Sequence, residues 1–361
     1  MAAASPAAFA GILLGAAHTG GSGAPSQLYV LCPSTGAGFA IGWIGFDAVG
    51  GLDVQPSTGV LYGVAKRATD GKNVLITIDP VSGQGREIGL LLNTATSGGG
   101  GHFDLSFRPS DAMLFLTAFR PVWPPAVGLF TVDTNSGMAT ELGDTTTASP
   151  GNALAFSASG TLYHANNSAG GTLFIVDQRS GVSAPSQALS YAGFPMLTNP
   201  RLNAMDMDPD SGTAWASLND GNLGDGPSYL ATLELTTGSV THVGTTVSGL
   251  DAIAWLSDAS MLFGQTIRAS ASKGGFEWTR PVAFEHAQGS FIASGDIGDF
   301  AFDVHGAGAG ASLPAASTPD SGEGAWYLLR LSCPEASWSS GGPGECPPGA
   351  CAGGARDATL P

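Results

Sequence analysis

A chain of 361 residues with 54 glycines, 23 prolines, 43% hydrophobic residues and only 12% charged residues suits a turn-rich globular body and lacks the charged faces of a helical bundle. Its net charge of −16, with the first basic residue at Lys66, excludes nucleic acid as a partner, because no basic surface tracks a phosphate backbone. The same charge repels anionic membranes and leaves a cation, a neutral glycan or a basic protein surface as the tolerated partner.

From the N-terminus, Ala7–Ala17 (AAFAGILLGAA) is an apolar run of signal-peptide length, preceded by MAAASP without Lys or Arg. It is too short to cross a bilayer. Residues 1–25 are therefore expected to be a signal or disordered segment of a secreted or cell-surface protein with no membrane span.

Leu28 then opens a fifteen-residue hairpin, LYVLCPSTGAGFAIG, with copies starting at Leu75, Leu129 and Leu230, a weaker copy at Pro281 and a degenerate one at Leu173. The copies share Gly36, Gly83, Gly137, Gly181, Gly238 and Gly289, where a turn between antiparallel strands needs positive φ. Ahead of that glycine stand Asp79, Asp133, Asp177, Glu234 and Glu285, with Cys32 in the first copy. The acids are expected to accept turn N–H groups, and Cys32 to be a small buried residue rather than a nucleophile.

Between these copies lies a second hairpin, opening at Gly51, Asp104, Ala153, Ala204, Ala252 and Asp299. The last copy finds its second strand late, at Gly324–Arg330, beyond a loop from His305 to Glu323 that holds Gly306 and Gly308. Two hairpins make four strands per unit, and the unit recurs about every fifty residues, the period of a propeller blade. The pattern predicts an all-β, six-bladed β-propeller over residues 26–332, with seven blades as the alternative. The sixth blade is expected to join Leu28–Gly42 to Asp299–Leu331, tying both ends of the chain into one sheet.

Residues 333–361 form a Cys/Pro/Gly-rich tail. It holds Cys333, Cys346 and Cys351, and Cys346–Cys351 suits a small disulfide loop, although four cysteines allow three complete pairings. Asn166 opens the one sequon, a glycosylation acceptor if the protein is secreted. No G-x-S-x-G or H-E-x-x-H motif occurs, the histidines are scattered singly, and Trp123 is an expected exposed contact.

Gly51–Tyr62 and Ile76–Gly83 resemble the repeats of secreted bacterial propellers of uncharacterised function. Gly151–Tyr163 (GNALAFSASGTLY) is similar to a signature of NHL-repeat proteins and calcium-dependent gluconolactonases, with Ala153 where that pattern has Gly. Where innermost strands begin, the chain offers Asp104, Asn152, Asn203, Asp251 and Asp299, with His102 nearby. The second resemblance implies a Ca²⁺ held by Asn152, Asn203 and Asp251, with Asp104 or Asp299 as a further ligand or general base. Equally, Asn and Asp at strand starts cap backbone groups without any metal.

Two functions follow as expectations. The first is a non-catalytic, monomeric extracellular module that presents its loop-rich face to a protein or glycan. The second is a Ca²⁺-dependent lactonase- or esterase-like hydrolase with its metal at the channel rim.

Overall fold

The computed structural model describes residues 11–18, 24–94, 104–122, 126–147, 153–165, 171–221 and 226–257, together with five strands between 275 and 331. Contacts divide the chain into Gly11–Ser257 and a second unit holding Asp258–Pro361. Each is described by itself.

Gly11–Ser257 is built entirely of strands, in chain order β1 (Ile12–His18), β2 (Pro25–Leu31), β3 (Gly38–Val54), β4 (Leu61–Lys66), β5 (Asn73–Ile78), β6 (Gly85–Leu90), β7 (Leu105–Phe107), β8 (Leu114–Phe119), β9 (Val127–Val132) and β10 (Ala139–Asp144). There follow β11 (Ala153–Phe156), β12 (Leu162–Ala165), β13 (Thr172–Val176), β14 (Ser183–Ala188), β15 (Ser190–Ala192), β16 (Arg201–Met207), β17 (Ala214–Asn219), β18 (Ser228–Glu234), β19 (Ser239–Thr245) and β20 (Leu250–Leu256).

These strands pair as antiparallel groups of four: β7 to β10, β11 to β14, and β16 to β19, the last extended by β15 running parallel to β19. A seven-stranded sheet in the order β20-β1-β2-β3-β4-β5-β6 contains two further groups of four, because β3 serves both. Its first half pairs with β2 and its second half with β4, either side of a break at Gly45 (φ 80°) and Ala48 (φ 42°).

The repeat glycines sit where the turns demand them: Gly36, Gly83, Gly137, Gly181 and Gly238 have φ between 73° and 79°, a region that only glycine enters without steric cost. The turn acids do the expected work. Asp133 accepts the Asn135 N–H at 2.9 Å and the Ser136 hydroxyl at 2.7 Å, and Asp79, Asp177 and Glu234 make matching bonds to Val81, Arg179 and Thr236. Cys32, which replaces the acid in the first copy, is buried.

Burial falls from the first strand of each group to the last. Strands β7 and β11 are buried throughout, whereas β10 and β14 each have a single buried residue, the rest being half-buried or exposed. The buried faces meet between successive groups. One core joins Tyr62 and Leu75 to Leu105 and Phe130, another Phe115 and Leu129 to Leu154 and Val176, a third Ala153 and Leu173 to Met205 and Leu218. A fourth joins Ala204 and Leu230 of the last group to Leu13, Leu31 and Ile253 of the first. The innermost strands likewise touch in the cyclic order β3, β7, β11, β16, β20 and back to β3.

A second contact repeats in the same order at the outer edge. The glycine that ends the fifteen-residue hairpin lies against the turn of the following group: Gly42 on Ser82, Gly89 on Ser136, Gly143 on Ser180, and Gly244 on Thr35. At each, an added Cβ would overlap a backbone carbonyl oxygen. The degenerate copy has Gln187 at this position, and its junction uses Ala188 against Gly238.

Four expectations are corrected. Leu28–Gly42 finds its inner partner in the N-terminal run, not in Asp299–Leu331: β2 pairs with β1, and β1 pairs with β20. Within the run read as a signal core, Ile12–Ala17 thus belongs to the second strand of a four-stranded group. Its unbroken apolarity is that of a strand covered on both faces, with Ile12, Leu13, Leu14 and Ala16 at most 1% exposed. In the other unit, β21 (Gly275–Glu277) pairs with β24 (Ser312–Pro314), while β22 (Phe284–Ala293) is flanked by β23 (Phe300–Gly308) and β25 (Glu323–Leu331). Strand β22 therefore runs straight through Gly289, the expected turn. The weak copy lacks the serine or threonine that stands just before the turn glycine in the others. Gly306 and Gly308 lie in β23 rather than in a loop.

Candidate functional site

The ends of the inner strands bring one polar cluster together. Asp251 is the second residue of β20, and His18 ends β1 beside it. The backbone fixes His18 there: its N–H donates to the Gly249 carbonyl at 3.1 Å, and Gly249 (φ 71°) approaches so closely that a Cβ would overlap the His18 carbonyl oxygen. Asn203 is the residue skipped in the β16–β17 register between Leu202 and Ala204, a bulge that re-aims its side chain. Asn219 ends β17 opposite Arg201, the first residue of β16.

Asp251 is the hub of this cluster. His18 Nε2 lies 2.8 Å from Asp251 Oδ2, Asn203 Nδ2 donates to Oδ1 at 2.7 Å, and Asn219 Nδ2 approaches the same oxygen at 3.4 Å. The hydrogen bond to Asp251 holds the His18 imidazole above its ordinary range, with burial opposing it. The hydrogen bond fixes the orientation of the imidazole, with Nε2 turned to Asp251 Oδ2. Two buried atoms of the directly opposed pair, Asn219 Oδ1 and Arg201 Nε, have no hydrogen-bond partner among the described residues. The cluster thus holds one unspent acceptor and one unspent donor, next to a carboxylate whose side chain is 16% exposed.

The sequence-derived candidates divide. Asn203 and Asp251 lie within hydrogen-bond distance of each other. Asp104 does not join them: it is wholly buried, and its carboxylate accepts the backbone N–H groups of Leu105, Leu154 and Met205. The cause is one residue of register. Asp104 directly precedes its strand anchor Leu105, whereas Asn203 and Asp251 stand two before Met205 and Ile253, and a one-residue shift turns a strand side chain to the other face. Asn152, Asp299, His102, Trp123, Asn166, Cys333, Cys346 and Cys351 lie outside the described residues.

For the Ca²⁺ that the resemblance implies, the donor set as it stands is a poor match. Both amides turn nitrogen, not oxygen, toward Asp251, whereas the ion needs converging oxygens. Among the described residues no group of three or more His, Cys, Asp or Glu is placed to hold a metal.

His18, Asn219 and Arg201 were not singled out from the sequence. Asn219 and Arg201 were within reach, because the last residue of a hairpin's second strand lies beside the first residue of its partner. His18 becomes visible only once Ile12–Ala17 is recognised as a strand.

No family model matches the chain, and no curated protein does. Among solved structures, one from a nidogen/laminin complex is similar at 11% identity, covering 69% of this chain and all of that one, with a TM-score of 0.44. A periplasmic gluconolactonase of Pseudomonas aeruginosa is similar at 16% identity over 85% of this chain and 98% of its own, with a TM-score of 0.38. TolB of Acinetobacter baumannii is similar at 15% identity and a TM-score of 0.38, covering 64% of this chain and about half of TolB, 52%. These are β-propeller proteins.

Proposed function

We propose that this chain is a non-catalytic extracellular propeller of five blades within Gly11–Ser257, its first blade completed by β1. It acts as a monomer and binds a neutral glycan through the cluster of His18, Asn203, Asn219 and Asp251. The observation that supports this reading best is unspent hydrogen-bonding capacity. The buried inner-strand carboxylates Asp53, Asp104 and Asp206 spend both oxygens on backbone N–H groups. Asp251 receives side-chain donors alone and is partly open, beside the unpaired Asn219 Oδ1 and Arg201 Nε. A sugar hydroxyl donates and accepts at one atom and satisfies such a mixed set, and a chain of net charge −16 does not repel a neutral ligand.

An extracellular location is supported by the cysteine-bearing tail, not by the apolar N-terminal run, which is built into β1. No helix among the described residues is long and apolar enough to cross a membrane. The second reading, a Ca²⁺-dependent lactonase- or esterase-like hydrolase using Asn152, Asn203 and Asp251, is favoured by the oriented His18–Asp251 pair. It is placed second because of the amide orientation described above.

Calorimetric titration of the full chain with a panel of neutral oligosaccharides tests the reading. Binding is expected that Asp251→Ala weakens by about tenfold or more, as befits the loss of a hydrogen bond to a charged group. Absence of binding across the panel contradicts it, and so does Ca²⁺-dependent hydrolysis of lactone or aryl-ester substrates.

A further inference from the structure

Three carboxylates on the inner strands have no cation beside them among the described residues, and their bonds run from blade to blade. Asp53 Oδ1 accepts the Val54 N–H at 2.6 Å on its own strand, and Oδ2 accepts the Phe107 N–H at 2.6 Å on β7. Asp104 joins Leu105 to Leu154 on β11 at 2.8 Å, with a longer bond from Met205 on β16 at 3.4 Å. Asp206 Oδ1 accepts the Met207 N–H at 2.7 Å, and Oδ2 accepts the Trp255 N–H at 2.5 Å on β20. The three are at most 8% exposed, and none takes part in the ion pairs among the described residues.

The titratable groups around them give no compensating charge. Asp53 is opposite Tyr62 on β4 and close to the Ser106 hydroxyl; Asp104 and Asp206 repel one another, Asp53 repels Asp206, and Asp208, just beyond β16, repels it too. Arg201 stands five residues back along β16, while His18 and Asp251 on β1 and β20 are bonded to each other.

We propose that Asp53, Asp104 and Asp206 form a proton-linked seam between blades, which holds the propeller more firmly as pH falls toward about 4 and loosens it as pH rises past neutrality. A carboxylate withdrawn from water without a counter-charge favours its neutral form. Burial pushes Asp53 up to about 7, and Asp104 and Asp206 well above the ordinary range; the backbone N–H bonds oppose the shift without reversing it. The folded state therefore binds more protons than the unfolded chain. The stability these groups contribute is fully present below the unfolded carboxyl pKa of about 3.9 and is lost as pH rises through the folded values. Because Asp206 ties β16 to β20, the strands that carry Asn203 and Asp251, the seam and the polar cluster share a junction.

The test is thermal unfolding of the full chain from pH 4.5 to 8.5, for the native sequence and for Asp53→Asn, Asp206→Asn and the double variant. His18, raised by Asp251, contributes with the same sign, so the variants rather than the native slope carry the test. The Asn variants are expected to flatten the rise in Tm on acidification and, above pH 7.5, to exceed the native Tm by about 5 °C. Unchanged slopes in both single variants, or a native Tm that falls on acidification across this range, overturn the proposal. Should the variants fail to fold, carbon NMR of aspartate-labelled native protein decides. At least one carboxyl titrating above about pH 6 supports the seam; all of them titrating below about pH 5 refutes it.

Discussion

Removal of residues 1–24 is expected to abolish cooperative unfolding of the Gly11–Ser257 unit. Strand β1 fills the space between β20 and β2, pairing with both along its length. Its loss leaves two strand edges unpaired in the interior and uncovers the core of Leu31, Leu230, Leu250 and Ile253. Burying Ile12, Leu13 and Leu14 is worth about 1.5–3 kcal/mol each, roughly 5–9 kcal/mol together, which is comparable with the whole stability of an ordinary domain at about 5–15 kcal/mol. Unpaired edges also template association, so the truncated chain should aggregate. Circular dichroism melts and size-exclusion chromatography check this. A truncated protein that is monomeric and melts within a few degrees of the full chain contradicts the role given to β1.

Gly244→Ala is expected to destabilise the protein by about 3 kcal/mol or more, at the upper end of overpacking effects, and Gly143→Ala by a similar amount. In each case the new Cβ would overlap a carbonyl oxygen of the neighbouring turn, Thr35 or Ser180. Backbone cannot rotate away as a side chain can. The two positions report on different junctions: Gly143 on one between consecutive groups, Gly244 on the junction that brings the last group back to the first. Gly160→Asn is the control, since Gly160 has no atom within 4 Å of its added Cβ, and Asn tolerates its positive φ (82°). Chemical denaturation measures all three. A Gly244→Ala protein as stable as the control variant would show that the last and first groups do not meet as described.

The parts of the fold legible in the sequence are those whose local chemistry admits one solution. Gly83 and Gly137 with Asp79 and Asp133 mark turns because positive φ and turn N–H groups call for those residue types, and the structure uses them so. The strand anchors Leu105, Leu154, Met205 and Ile253 fall in inner strands for a similar reason, since each is wholly or almost wholly buried. What escaped was set by long-range pairing. Ile12–Ala17 has no alternation, so nothing local separates a strand covered on both faces from a signal-peptide core. Misplacing it hid His18 and moved the expected closing partner to Asp299–Leu331. Asp104 was grouped with Asn203 and Asp251 by proximity to strand starts, but the two-residue period of the pleat put it on the opposite face, where it binds backbone N–H groups.

The account turns on β1 lying between β20 and β2 in the seven-stranded sheet, and hydrogen exchange of the full chain at the amides of Ile12–Ala17 tests that most directly. Protection matching that of β2 and β20 is predicted, because these amides lie in a strand paired on both sides. Exchange at the rate of an unstructured peptide, with β2 and β20 still protected, would contradict it.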